Sequence, residues 1–266
     1  MSSLSHFLFQ YNYLSQATGV LYVVGPNVQV SLHNCELTNN VVQDASVAQF
    51  LRKANFSLSN RYMSGNTALG SLAFAQNSYV VLQHCSVRDS RDILRLEHST
   101  VQVLFSTFSQ VETTVGAFSL IGSTLTLQNV FFNAVQGAGN CLLSGLSTSE
   151  VYMTKVHATE LTCREEVVKV ANSLLSLQST TLSSVSSKSA VFNSVQSNVS
   201  LNNVHLTLSS SQVLSAQSSS LRVSNCSFTS IRTLQQVGVF SCLYCALLSI
   251  QHTTIKQVLA KVVEAV

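Results

Sequence analysis

The densest charged run in this sequence is Arg88-Asp89-Ser90-Arg91-Asp92, followed by Arg95 and Glu97 and, one repeat later, by Glu112. Carboxylates and guanidiniums gathered on one flank could hold an ionic ligand, and two carboxylates facing one sugar are what a glycosidase needs. A lyase needs a calcium cluster or a strong base instead, and the chain has only three aspartates, Asp44, Asp89 and Asp92. Arg88, Asp89, Arg91, Asp92, Arg95 and Glu112 are therefore a weak candidate binding patch. The competing reading is a solvated loop whose opposite charges pair with each other. A second knot, Glu160, Arg164, Glu165 and Glu166, reads the same way, and no catalytic residue is assigned.

The seven histidines contain no H-E-x-x-H and no close pair. His157 and His205 share one outward column but lie two repeats apart, roughly 10 Å at strand spacing and too far for one zinc ion. No metal or cofactor is expected. Among the seven cysteines, Cys35, Cys85 and Cys226 fall in one column where other repeats place Val130, Val156 and Val204. They should pack as small buried hydrophobes. Cys242 and Cys245 form a lone C-x-x-C bridging two strands; packing is the default for all seven, with a local disulfide there as the alternative. Of three N-x-S/T sequons, Asn225 is expected to be occluded, whereas Asn55 and Asn198 sit on an outward strand edge, open to glycosylation if the chain is exported. Tyr62, Phe131 and Tyr152 project outward, but on separate faces or distant repeats, and tryptophan is absent.

The elements that must position these groups come from a repeat. Aligning Phe9, Leu32, Leu58, Leu82, Val103, Leu127, Met153, Leu177, Leu201, Val223 and Ile250 gives a spacing averaging about 24 residues. The positions two before and five after each of these anchors, beginning with Phe7 and Leu14, are apolar throughout, and the neighbours of the anchor are mostly polar. That alternation is a half-buried strand. A second strand lies about nine residues upstream, as in Leu72-Ala73-Phe74 and Leu94-Arg95-Leu96. A third follows the anchor, as in Phe108-Ser109-Gln110-Val111. Asparagine recurs two after the anchor (Asn34, Asn60, Asn129, Asn203, Asn225), with His84 and His252 in the same place. Such a column suits a left-handed corner, where stacked amides can bond turn to turn. Serine recurs four before the anchor, from Ser78 to Ser219, as a second polar column. A leucine-rich repeat would place its Asn three after the second strand leucine and carry one strand per unit, so it fits less well.

Composition agrees. Hydrophobic residues make up 46 % and charged residues only 9 %, with a net charge of +3. Those numbers exclude a charge-rich disordered chain and leave little attraction for nucleic acid. The stretch Val237 to Ile250 is too short and too interrupted to span a bilayer, and the N-terminus lacks the features of a signal peptide.

Strings such as VSLHNCEL (Val30 to Leu37), VVLQHCSV (Val80 to Val87) and LRVSNCSF (Leu221 to Phe228) resemble the right-handed parallel β-helix repeat of the pectin-lyase-like superfamily. The resemblance runs from Phe7 to about Val258 and implies an all-β, right-handed parallel β-helix solenoid of about eleven rungs. It is most similar to the surface and adhesin-type members. The signatures of the hydrolase and lyase branches (N-T-D, D-D, G-H-G, R-I-K, R-x-P-x-x-R) are absent, Pro26 being the one proline. One domain over 7–258 is expected, with a stub at 1–6 and a truncated further rung at 259–266. Both ends look uncapped, as in a fragment whose neighbours are the flanking rungs of a longer extracellular or cell-surface protein. The resulting expectation is a non-enzymatic structural or adhesive module whose partner is a glycan or a surface protein. The competing one is a polysaccharide-acting enzyme with a site near Asp89, Asp92 and Glu112.

Overall fold

Branched and aromatic residues alternating with serine, threonine and glutamine favour strands that bury one face, and repetition at a fixed period lets each strand pair with its equivalent one turn later. The computed structural model describes residues 2–5, 8–10, 12–14, 19–26, 28–43, 46–68, 70–233 and 239–260; Phe7, Asp44 and the segment 261–266 lie outside them. Within these residues the chain is all-β. Every strand pairing is parallel, and successive turns are about 24 residues apart.

The anchors superpose as the repeat requires. Leu82 pairs with Leu58 on one side and Val103 on the other, and the stack runs on through Leu127, Met153, Leu177, Leu201, Val223 and Ile250. This is the first face of the coil. The second face carries Leu37, Met63, Val87, Phe108, Phe132, Ala158, Leu182, Leu206, Phe228 and Ile255. The third is a ten-stranded sheet from Leu21–Val24 to Phe240–Leu243. A short sheet of Tyr13–Leu14, Val41–Val42 and Thr67–Ala68 covers one corner of the early turns. The inward side chains of all three faces form one continuous core. At its middle Phe108 stacks on Phe132 at 5.1 Å, and Phe118 meets both edge-on at 5.8 and 6.0 Å.

Two registers differ from the sequence reading. In the first turn the anchor column is occupied by Leu4, paired with Leu32, whereas Phe9 pairs with Leu37 on the second face. Columns five apart are both apolar, so a slip from one to the other preserves the pattern. Ser2–Ser5 is accordingly a paired strand, not a stub, and about ten turns separate Leu4 from Ile250. At the far end Leu259 and Ala260 belong to the strand Thr254–Ala260, which pairs with Ser227–Thr233. On the third face Ala73 and Ala75, not Leu72 and Phe74, align with Leu94 and Leu96. Phe74 points outward, where the Arg95 guanidinium lies 5.7 Å from its ring centre.

The corners explain the polar columns. Three positions per turn adopt left-handed backbone: two after the anchor with φ between 48° and 55°, seven after it between 48° and 63°, and five before it between 48° and 66°. The first is the Asn and His column, which takes the predicted conformation. One bond runs along this column among the described residues, between Asn203, which donates at 3.2 Å, and Ser179 Oγ in the same place one turn earlier; Asn225 donates instead to Asn202 Oδ1 at 3.2 Å. Two buried ladders lie elsewhere. The serine column is sealed from water, and the hydroxyl of each serine from Ser99 to Ser219 accepts the N–H of the serine one turn earlier at 3.1–3.4 Å. Eight after the anchor, Asn12 donates to Asn40 and Asn40 to Asn66, whose amide ends on Leu37 C=O at 2.7 Å.

Candidate functional site

The left-handed residue seven after the anchor makes the chain project outward, turn inward at the next position and outward again at the ninth. Stacked over several turns, this kink becomes a concave stripe parallel to the coil axis. Between the third and sixth turns it deepens to a groove of about 410 Å³ lined by Asn66, Asp89, Arg91, Gln110, Glu112 and Gln136, among others. The stripe continues into a depression of about 320 Å³ that shares Arg91, Glu112 and Gln136 and adds Thr114, Thr162 and Arg164.

The structure divides the candidate patch. Asp89, Arg91 and Glu112 line the groove. Asp92 and Arg95 line a separate depression around the corner, with Gly70, Val115 and Ile121. Arg88 stands beside the groove on the second face, its Nε 3.2 Å from Asp89 Oδ2 and 2.7 Å from Gln110 Oε1. Arg91 faces Glu112 across one turn at 3.6 Å, and Arg95 pairs with Glu97 at 2.9 Å. Asp92 accepts both the N–H and the hydroxyl of Thr114, at 2.7 and 2.5 Å. Every charge of the patch thus has a protein partner.

Geometry limits the chemistry available. A glycosidase acid is a carboxyl kept protonated in a desolvated setting. Asp89 and Glu112 share the groove, but their side chains are 49 % and 71 % exposed and each faces an arginine. Among the described residues no group of three or more His, Cys, Asp or Glu side chains is placed to hold a metal ion. His157 and His205 are separated by Thr181 in the pairing, as their spacing implies. What the groove offers is hydrogen bonding from glutamine, threonine and ion-paired side chains.

Of the second knot, Glu166 is buried: Asn193 Nδ2 donates to its Oε1 at 2.8 Å and its Oε2 has no partner. That burial carries no surface signature in the sequence.

The cysteines depart most from expectation. Cys35, Cys85 and Cys226 lie outside the disulfides and are buried in their shared column. Their thiols also donate to carbonyls, as Cys226 does to Ser224 at 3.1 Å. Burial pushes the Cys226 thiol up from its ordinary pKa, against the lowering effect of backbone hydrogen bonds. The other four form two disulfides, so packing alone does not account for all seven. Cys242–Cys245 closes the C-x-x-C, and Cys141–Cys163 joins residues 22 apart, tying a corner to the strand end of the following turn. The second bond is invisible in the sequence because Cys141 sits in a corner whose length varies from turn to turn.

Asn225 is exposed rather than occluded, because the left-handed corner turns its side chain outward. Asn55 and Asn198 are also exposed. Tyr62, Phe131 and Tyr152 project to solvent, and two ring pairs missed in the sequence accompany them: His84 on Phe105 and Phe131 on His157, each with centroids 5.2 Å apart.

No family model matches the chain, and no curated protein matches it in sequence. Among solved structures it is similar to the family 28 exopolygalacturonase of Yersinia enterocolitica, at 10 % identity and a TM-score of 0.37 over 98 % of this chain and 70 % of that one. It is also similar to the mannuronan C-5 epimerase A-module of Azotobacter vinelandii, at 9 % identity and a TM-score of 0.36 over 98 % and 86 %. The surface protein and adhesin PfbA of Streptococcus pneumoniae overlaps at 9 % identity and a TM-score of 0.29 over 94 % and 91 %. Two enzymes and an adhesin at this level of overlap do not discriminate between activities. The chain is a parallel β-helix, and that statement rests on its own strand registers.

Proposed function

We propose that the chain is a non-enzymatic structural and adhesive β-helix module of a surface or secreted protein, with a glycan or a surface protein as partner. One observation carries the reading: turn after turn the outward positions are mainly hydroxyls and amides, with scattered aromatics, while the groove carboxylates Asp89 and Glu112 are exposed and matched to arginines. Such a surface holds a partner by many shallow hydrogen bonds, and its groove carboxylates stand in water. Export is supported by the two disulfides, which persist in oxidising compartments, and the sequon residues Asn55 and Asn198, together with the likewise exposed Asn225, are then open to glycosylation.

A polysaccharide-acting enzyme is the second reading, favoured because Asp89 and Glu112 share one groove. Incubation with a panel of polyuronides and glucans separates the two. No release of reducing ends or unsaturated product is expected from the purified chain. Turnover that disappears in Asp89→Ala or Glu112→Gln, with the fold intact by circular dichroism, overturns the module reading.

A further inference from the structure

On the first face, away from the groove, the outward column one before the anchor reads Tyr152, Ser176, Ser200 and Arg222 on four successive turns. Two serines between a ring and a guanidinium leave a trough of about 460 Å³, with Leu174, Asn198 and Leu247 on its flank. Its ends carry opposite charges. Glu150 stands at the tyrosine end, where its Oε2 accepts the Tyr152 hydroxyl at 3.1 Å, and among the described residues it has no ion-pair partner. Arg222 closes the other end, exposed and likewise in no ion pair among the described residues. Three strand spacings, about 14 Å, separate the two turns.

We infer that this trough docks an extended peptide segment of a protein partner, lying along the coil axis with a basic side chain at Glu150 and Tyr152 and an acidic one at Arg222. Charge complementarity selects this occupant. A carboxylate beside an aromatic face receives an ammonium or guanidinium group. A free guanidinium receives a carboxylate in a bidentate fork. Extended backbone advances about 3.3 Å per residue and turns every second side chain to the same face, so side chains four positions apart face the trough together and lie about 13 Å apart, matching the distance. Ser176, Ser200 and Asn198 supply hydrogen-bonding groups opposite the intervening peptide units, and Leu174 and Leu247 supply apolar contact. The inference rests on the adhesive reading and names its partner as protein.

The test is an amide-shift titration of the whole chain, made in a bacterial host so that no glycan on Asn198 fills the trough. The probe is the capped pentapeptide Lys-Thr-Thr-Thr-Glu. Saturable shifts are expected at Ser176 and Ser200 at millimolar peptide. Arg222→Gln or Glu150→Gln should weaken binding about threefold to fivefold, the scale of an exposed ion pair. Glu150→Arg should transfer preference to Glu-Thr-Thr-Thr-Glu. The inference is overturned if Gln-Thr-Thr-Thr-Gln binds as tightly, if no peptide moves the trough amides, or if a galacturonate or glucan oligomer moves them and the peptides do not. A negative titration leaves the non-enzymatic reading standing, since that reading fails on turnover and not on peptide binding.

Discussion

Each serine of the buried column does two jobs at once. Ser197 donates to Val195 C=O at 2.7 Å and accepts the N–H of Ser173 at 3.2 Å, with 4 % of its surface exposed. Ser197→Ala strands that N–H without an acceptor, which should lower unfolding stability by about 1–3 kcal/mol in urea titrations. The left-handed corners give a complementary case. Asn129 sits at φ 53°, a conformation glycine adopts freely and a β-branched residue resists. Asn129→Val should therefore destabilise by about 1–2 kcal/mol, while Asn129→Gly leaves the urea midpoint nearly unchanged. Cys226 makes a pH prediction. Because burial raises its thiol pKa in the folded state, its contribution is complete below the ordinary thiol range and declines as pH climbs through the elevated value. Stability should fall on the alkaline side, and Cys226→Val, which copies Val130 and Val156, should flatten that decline.

At the scale of the element, the corner stapled by Cys141–Cys163 carries the longer of two covalent cross-links. A closed segment of 22 residues implies about 3 kcal/mol from loss of unfolded-state entropy. Cys163→Ser should lower the thermal midpoint accordingly, whereas Cys242→Ser, opening a bond across only three residues, should change it little. Strand existence and the left-handed corner two after the anchor were legible in the sequence, because period-two alternation and Asn recurrence report directly on burial and backbone sign. The first turn was not, since Phe9 satisfies the apolar rule of the column five residues away as well as Leu4 satisfies its own. Nor was the kink seven after the anchor. Its occupants include Asp89, Gln110, Ala134, Ser184 and Leu208, which share no chemistry; the conformation is imposed by stacking on the turns above and below.

For the whole molecule, the candidate patch shows why sequence proximity misleads in a coil. Asp92 and Arg95 follow Arg91 closely, yet the chain rounds a corner between them and delivers them to another depression. Glu112, distant in sequence, returns to face Arg91 one turn on. Function was the least legible feature, because outward positions are free to vary without disturbing the core that sets the repeat.

That each strand among the described residues pairs with its equivalents one turn away also dictates how the molecule should respond to pulling. Under tension applied to its two ends, no distant contact locks the whole, so the coil should peel in steps, each paying out one turn of about 24 residues, or about 80 Å of chain. Peeling should pause at the turn held by Cys141–Cys163, and the pause should vanish under reducing conditions. Single-molecule extension traces with evenly spaced rips of that length would display the period directly, and one abrupt rupture would contradict it.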